Sequence, residues 1–231
     1  MKINKLSIVI PAYNEAKTIG AILQKLSEAD LGVNKEIIIV NDGSTDNSRE
    51  VLDRYQDKYI IIHLPENQGK GAAVAAGYKV STGDYAVVQD ADLEYNPNDL
   101  KRLINEAEEC GAQAVYGSRR LGLTRKKSPK AGWFYYLGGV YLTWLTNFLY
   151  GTAITDEATC YKMVSKQVLD KINIEAKGFE FCPEITAKIS RQGVKIHEVP
   201  ISYIPRSQEE GKKIKLRDGL IAIWTLIKYR F

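Results

Sequence analysis

Short runs of apolar, mostly β-branched residues punctuate the first half of the chain. Between them, apolar residues recur every three or four positions. The runs Leu6 to Ile10, Glu36 to Val40, Tyr59 to His63, Tyr85 to Val88 and Ala114 to Tyr116 have the length and composition of strands. Helical spacing follows each of the first four: Ile19, Ile22, Leu23 and Leu26; Val51, Leu52 and Tyr55; a small-residue stretch from Gly71 to Val80; and Leu100, Leu103, Ile104 and Ala107. The last of these helices is expected to start at Pro97 behind an Asn96 cap. Such alternation predicts an α/β fold: a mostly parallel sheet, built by right-handed crossovers, with helices on both faces. No repeat, low-complexity stretch or Pro/Gly-rich linker divides the chain, so residues 1–231 are expected to form one domain with an appended C-terminal part.

The pattern changes beyond residue 118. Residues 131–155 carry no charge for 25 positions, long enough on paper to cross ~30 Å of hydrocarbon. Trp133, Leu137, Val140, Tyr141, Trp144, Leu145 and Phe148 recur at helical spacing, while Gly138, Gly139, Thr143, Thr146 and Asn147 gather on the other side. Aromatics beside a basic run predict an in-plane interfacial helix rather than a span, within a unit over 118–155. In the segment 204–231, Leu220, Ile223, Trp224 and Ile227 make a second stripe that ends in Lys228 and Arg230. A buried core helix is the competing expectation for both.

Composition narrows the class. With 231 residues, 45% hydrophobic and 26% charged, the chain is too apolar for a disordered or collagen-like protein and long enough to need no disulfide staples. Cys110, Cys160 and Cys182 make an odd count without C-x-x-C spacing, and there are two histidines, so a disulfide scaffold and a zinc site both read poorly and a reducing compartment is expected. The apolar run near the N-terminus is too short for the core of a signal peptide. The net charge of +4 conceals an asymmetry: residues 1–100 sum to −5 and residues 101–231 to +9. Six basic residues fall between Arg119 and Lys130, and no acid lies between Ser118 and Thr155. Nucleic acid, an anionic membrane or a phosphorylated substrate would each suit that run, as would a plain solvated loop.

Polar clusters sit directly after the strands: Pro11 to Glu15, Asn41 to Ser44, Asp90 to Asp92 and Gly117 to Arg119. In an open parallel sheet the carboxyl ends of the strands line the ligand crevice, so the four converge on one edge. Asp90 and Asp92, two apart in extended chain, aim their carboxylates the same way and suit Mg²⁺ or Mn²⁺ shared with a diphosphate. An Asx turn leading toward Pro97 accounts for the same residues. Asp42 suits hydrogen bonds from a base or ribose. Asn67 to Gly71 carries G-x-G, but Val74 stands where the dinucleotide fingerprint wants Gly or Ala, and no Walker ending follows. Those glycines serve either a phosphate or close helix–sheet packing, with Lys70 facing the crevice.

Taken together, S-I-V-I-P-A-Y-N-E (Ser7 to Glu15), V-N-D-G-S-T-D (Val40 to Asp46), N-Q-G-K-G (Asn67 to Gly71), D-A-D-L (Asp90 to Leu93), G-S-R (Gly117 to Arg119) and T-D-E-A-T-C-Y-K (Thr155 to Lys162) resemble the inverting family 2 glycosyltransferases. Within these, the chain resembles the dolichol-phosphate mannose synthase-like group. The resemblance implies a GT-A fold in which Pro11, Tyr13, Glu15, Asp42, Lys70 and Asp90 hold the nucleotide. It also implies that Asp90, Asp92 and Glu94 surround Mg²⁺ or Mn²⁺. Arg119, Arg206 and Lys213 would then meet phosphates, with Asp92, Arg119, Asp156, Arg206 and Lys213 as the catalytic set. Glu94 replaces the usual glutamine, Thr159-Cys160 a Gly-Ser pair, and Glu210 to Lys213 a Gly-x-Ser-Lys run, which leaves the sugar open between mannose and glucose. The processive Q-x-x-R-W motif is absent.

The implied activity is transfer of a hexose from GDP-mannose or UDP-glucose to a polyprenyl or dolichyl phosphate. Its partners would be the nucleotide-sugar donor, the lipid phosphate and a membrane surface, without nucleic acid, and the protein would sit peripherally on the cytoplasmic face. A soluble family 2 enzyme acting on a glycan or other carbohydrate is the alternative.

Overall fold

The computed structural model describes residues 2–121, 133–205 and 216–231, without the side chains of 133–135 and 216. The strands are β1 (Lys5–Ala12), β2 (Asn34–Asn41), β3 (Ile60–His63), β4 (Tyr85–Val88), β5 (Ala114–Ser118), β6 (Lys162–Ser165) and β7 (Ile196–Pro200). The helices are α1 (Ile19–Glu28), α2 (Ser48–Asp53), α3 (Lys70–Val80), α4 (Leu100–Cys110), α5 (Trp133–Tyr150), α6 (Lys166–Leu169), α7 (Phe181–Arg191) and α8 (Leu216–Arg230). Among the described residues one seven-stranded sheet, ordered β3-β2-β1-β4-β6-β5-β7, holds every strand, and only β6 runs antiparallel to its neighbours.

Period-two alternation explains why the strands read as unbroken apolar runs, because both faces of the sheet are covered. Leu6, Ile8 and Ile10 of β1, Ile37 and Ile39 of β2 and Val87 of β4 join one core with Ile19, Ile22, Leu23 and Leu26 of α1 and Leu100, Leu103, Ile104 and Ala107 of α4. Val9, Ile38, Val40, Ala86 and Val88 point the other way, toward α3 and α7. At that second face α3 comes so close that a Cβ on Gly77 would lie 2.3 Å from Val9 Cγ1, which is why small residues dominate this helix. The Asn96 cap forms as expected: its side chain accepts the Asn98 N–H at 3.2 Å, ahead of Pro97 in a short 3-10 turn that leads into α4.

Beyond Thr155 the fold departs from the expectation. The C-terminal part is not an appendage, because β6 inserts between β4 and β5 and β7 extends the same sheet at its edge. Neither strand carries the long β-branched run that marks β1 and β2. As β6 is antiparallel, its first residue, Lys162, lies at the same edge as the carboxyl ends of β4 and β5.

Glu36 ties three segments together at the opposite edge. Its carboxylate accepts from Ser7 Oγ, the Thr82 N–H at 2.8 Å and the Thr82 hydroxyl, with Lys5 Nζ 3.4 Å away. Burial works against the charge, yet these donors hold the Glu36 pKa down at about 2. A depressed folded pKa adds stability that is complete above the unfolded value of ~4.3 and is lost as pH falls through the folded one. Glu36→Gln should therefore cost about 2–3 kcal/mol at pH 7. Wild type and variant should converge between about pH 4.5 and 2, as followed by urea denaturation; a gap that does not change with pH would contradict this account.

Candidate active site

The carboxyl ends of β1, β2, β4 and β5 bring the four expected clusters to one edge, and the loops there are stitched to each other. Asn14 holds φ at 54°, a left-handed conformation that asparagine tolerates. Its Oδ1 accepts from Thr45 N at 2.8 Å and Asp46 N at 3.3 Å, while Ser44 Oγ accepts from Asn14 N and Ser48 Oγ from Glu15 N, each at 3.0 Å. Glu15 is buried and accepts the Thr18 hydroxyl at 2.7 Å; Pro11 and Tyr13 are half-buried beside it.

Asp42 is buried, and its two oxygens accept the N–H groups of Gln68 at 2.8 Å and Gly69 at 2.9 Å. It thereby fastens the glycine loop to the end of β2. The next N–H groups, of Gly71 and Ala72, both point at Lys177 O. A Cβ on Gly69 or Gly71 would lie 2.3 Å from the carbonyls of Lys177 and Ala176, so these glycines permit close packing of two loops. The close packing expected of these glycines is present, though at Gly69 and Gly71 it is against a loop rather than the sheet.

Lys70, at the start of α3, faces the crevice as expected. Its Nζ lies 2.5 Å from Asp90 Oδ1 and donates to Cys160 Sγ at 3.1 Å. Burial alone would raise the Asp90 pKa, and the lysine more than reverses this. Cys160, also hydrogen-bonded to Cys182, is pushed well above the ordinary thiol range. Next in the chain, Asp92 Oδ1 accepts the Glu94 N–H at 3.2 Å around Leu93, whose φ of 65° is rare for such a side chain. The turn seen as an alternative is thus present, and it presents Asp92 and Glu94 half-buried at the edge. Glu94 Oε2 accepts the Tyr203 hydroxyl at 2.8 Å.

Arg119 and Asp156 meet as a bidentate pair: Nε donates to Oδ2 at 2.7 Å and Nη2 to Oδ1 at 2.8 Å, and the Arg119 N–H reaches Oδ2 as well. Burial would raise the Asp156 carboxyl, and Arg119 holds it low instead. This face of the guanidinium fork is therefore engaged by protein, and the plane lies 5.0 Å from the centre of the Tyr203 ring. Glu198 of β7 secures the loop from below, accepting from Thr155 N at 2.7 Å and Asp156 N at 3.2 Å. Arg206 and Lys213 lie outside the described residues, as do Arg125 to Lys130.

A third pair escaped the reading of the sequence. Lys162 and Glu157, both fully buried, lie 3.1 Å apart and share Thr186 Oγ1, which Tyr116 also reaches at 2.9 Å; the Lys162 ammonium stands 4.0 Å from the Tyr116 ring. Among the described residues Glu157 Oε2 has no partner, and burial raises the Glu157 pKa to about 7 in spite of the lysine. A lysine opening the short, fully buried strand K-M-V-S is its signature, and that burial is not visible in the sequence.

α5 reverses the usual polarity of a surface helix. Its polar side turns inward: Asn147 accepts the Ile154 N–H at 3.1 Å and donates to Ile154 O at 2.8 Å, and Thr143 Oγ1 accepts the Glu157 N–H at 3.1 Å. Tyr141, Trp144 and Phe148 stack in a row at centroid distances of 5.8 and 5.6 Å on the outside, with Phe148 72% exposed. Leu145, expected on that stripe, is buried with Leu142 against Ala222 and Leu226 of α8. α8 in turn exposes Leu220, Trp224 and Ile227. Arg120, next to the Arg119 pair, lies 5.6 Å from the Tyr136 ring of α5.

Comparison with known proteins agrees with this construction. The model of the family described as Glycosyl transferase family 2 matches residues 7–172. The chain is 27% identical over 217 residues to the undecaprenyl-phosphate 4-deoxy-4-formamido-L-arabinose transferase of Proteus mirabilis, covering 91% of this chain and 63% of that protein. It is 29% identical over 220 residues to the dolichol-phosphate mannosyltransferase of Pyrococcus furiosus, covering 90% and 59%. It thus spans about three fifths of the length of these curated relatives. The glucosyl-3-phosphoglycerate synthase of Mycobacterium tuberculosis, solved with Mn²⁺, UDP and phosphoglyceric acid, superposes with a TM-score of 0.74 at 20% identity over 98% of this chain and 78% of that one. The same enzyme solved with Mg²⁺ and UDP gives 0.73. The likeness is one of fold. With the sheet-edge clusters in place and the family match running from Ser7 to Ile172, the chain belongs to glycosyl transferase family 2 and has the GT-A fold.

Proposed function

We propose that residues 1–231 act as one catalytic unit that transfers a hexose, from GDP-mannose or UDP-glucose, to a polyprenyl or dolichyl phosphate with inversion at the anomeric carbon. The observation that carries this reading is the junction of two surfaces. A crevice edge bearing Asp90, Asp92 and the Arg119–Asp156 pair runs through Arg120 into the aromatic face of α5 and α8. A lipid phosphate is a substrate that needs both. The similarity to two polyprenyl-phosphate sugar transferases supports it.

The donor set at Asp90, Asp92 and Glu94 is all oxygen, the chemistry of Mg²⁺ or Mn²⁺. Among the described residues these carboxylates do not close into a group with ligand atoms within 4.8 Å of one another. An open set fits a cation that shares its shell with a diphosphate and water rather than one caged by protein. When bound, such an ion neutralises charge on the departing nucleoside diphosphate. Asp92 would hold it, Asp90 would do so once released from Lys70, and Glu94 would flank them. Lys70, freed in that exchange, would stay beside the nucleotide with Pro11, Tyr13 and Glu15, while Asp42 keeps the glycine loop in place. The acceptor phosphate is already anionic and needs orientation more than a strong base. Arg206 and Lys213 would supply that orientation together with Arg119, whose position Asp156 sets.

Among the described residues no helix is long and apolar enough to cross a membrane. The aromatic faces of α5 and α8 would lie in the membrane surface, on its cytoplasmic side, with the basic run before α5 near lipid phosphates. Aromatic burial gives a salt-independent share of attachment, and each lysine or arginine near an anionic leaflet adds about 1 kcal/mol.

Turnover of GDP- and UDP-hexoses with a short polyprenyl phosphate tests the reading; transfer to soluble glycans alone would replace it with a soluble activity. Asp92→Asn should lower kcat by about 10²-fold or more with the fold intact, because charge stabilisation is lost rather than packing. Undiminished activity of that variant, or of wild type in excess EDTA, would remove the cation from the mechanism. Trp144, Phe148 and Trp224 are all more than half exposed, so replacing the three with Ser should leave the fold in place. The triple variant should leave anionic liposomes in high salt and show a raised KM for long-chain polyprenyl phosphate, with a water-soluble short-chain acceptor used nearly as before. Unchanged sedimentation with liposomes would exclude this face as the point of attachment.

A further inference from the structure

At the edge of the sheet opposite the crevice, α4 ends against β7, and three side chains of different chemistry converge. Glu106 and Cys110 are four residues apart on α4 and so share one face of the helix. His197 comes from β7, where it pairs in register with Val115, three residues before the carboxyl ends of both strands. Glu106 Oε1 lies 2.8 Å from His197 Nδ1 and accepts from Cys110 Sγ at 3.3 Å, and the three ligand atoms all lie within 4.8 Å of one another. Two donors thus converge on a single carboxylate oxygen, where protons occupy the space a cation would take.

We propose that Glu106, Cys110 and His197 form a binding site for a zinc-class divalent cation, with water as the fourth ligand, that staples α4 to the edge strand β7. The distances fit this use. Tetrahedral zinc with ligands at ~2.0–2.3 Å sets carboxylate oxygen about 3.3 Å from imidazole nitrogen and about 3.5 Å from sulfur, within about 0.5 Å of the present separations. Thiolate, imidazole and carboxylate together favour zinc or cobalt over the magnesium that an all-oxygen set selects. Cys110 is exposed and the other two are half-buried, so ion and water have access. The His197 bond holds Glu106 below the usual carboxylate range, ready as an anion, while the bond to Glu106 raises the Cys110 thiol. Binding therefore releases one proton: the cation replaces the hydrogen of Cys110, the thiol proton passes to solvent, and the neutral His197 ring carries its hydrogen on Nε2 instead of Nδ1 so that Nδ1 becomes a ligand. The sequence concealed this site because its histidine lies 87 residues beyond Cys110, outside any local metal motif.

Cobalt titration of the full chain in excess Mg²⁺ tests the proposal. One equivalent of Co²⁺ should produce thiolate-to-cobalt charge-transfer absorption and the intense visible bands of a tetrahedral site, and Zn²⁺ should abolish both. Cys110→Ser should remove the charge-transfer band, and His197→Ala, which deletes a ligand, should weaken binding by more than the roughly 10–100-fold that loss of an outer-shell partner costs. Asp92→Asn, at the crevice, should leave the spectrum unchanged. Zn²⁺ should raise the Tm of wild type by several degrees and leave that of Cys110→Ser where it is. A charge-transfer band that survives in Cys110→Ser would assign the metal to Cys160 or Cys182 and overturn the proposal. So would the absence of any band at millimolar cobalt, which would make the cluster a hydrogen-bonded triad only.

Discussion

A charge buried at the end of a strand must be met by another charge or by converging N–H donors, as at Asp42, and this requirement organises the reactive edge of the sheet. Taking a carboxylate or an ammonium out of water costs several kcal/mol per ion even after relaxation, and the attraction of a partner offsets it only with close geometry and further hydrogen bonds. Three pairs satisfy this in a row: Lys70 with Asp90, Arg119 with Asp156, and Lys162 with Glu157. The first two join segments 20 and 37 residues apart, and the third, between residues only five apart, reaches a distant element through Thr186, so each fixes a distance that packing alone would leave loose. The first holds the start of α3 against the end of β4, and the second holds the end of β5 against the loop before β6. The third pins that loop to β6 itself and, through Thr186, to α7.

Such pairs are weak contributors to stability and strong constraints on arrangement. They differ in how fully they are matched. Asp156 takes two guanidinium bonds and a backbone N–H, and its charge is well supported. Glu157 has one oxygen on Lys162 and Thr186 and the other without a partner among the described residues, and burial raises its pKa in spite of the lysine. Lys70 stands beside a carboxylate and a thiol, so its ammonium has an alternative partner at 3.1 Å if Asp90 turns toward a cation. The edge thus combines one pair that is locked with one that has somewhere to go.

How much of this was legible depends on the range of the contacts involved. β1 to β5 and their helices were readable because two-sided burial leaves apolar runs in the strands and the helices between them keep a periodic apolar face. The strand-end clusters followed from parallel topology alone. β6 and β7 were not readable, since four or five residues including a lysine and a histidine satisfy no periodic template, and their places are set by partners such as Tyr116 and Val115 far back in the chain. Asp42 and Arg119 were recognisable as residues of the edge, whereas their use of backbone N–H groups and of Asp156 is three-dimensional information. The same limit applied to α5, where the stripe of aromatics was visible but not which stripe faced the protein.

That inversion in α5 follows from the charge constraint rather than standing apart from it. The loop from Ile154 to Glu157 carries one acid of each of the last two pairs, and its backbone groups need partners once they are buried. Asn147 and Thr143 supply them from the helix. A helix that turns its polar side inward to satisfy a loop must turn its remaining side outward, and on α5 that side is Tyr141, Trp144 and Phe148. The exposed aromatic face is thus the counterpart of the bonds that hold Ile154 and Glu157, on either side of Asp156, in place. A displacement of α5 would therefore reach the loop that carries Asp156 through the bonds of Asn147 and Thr143.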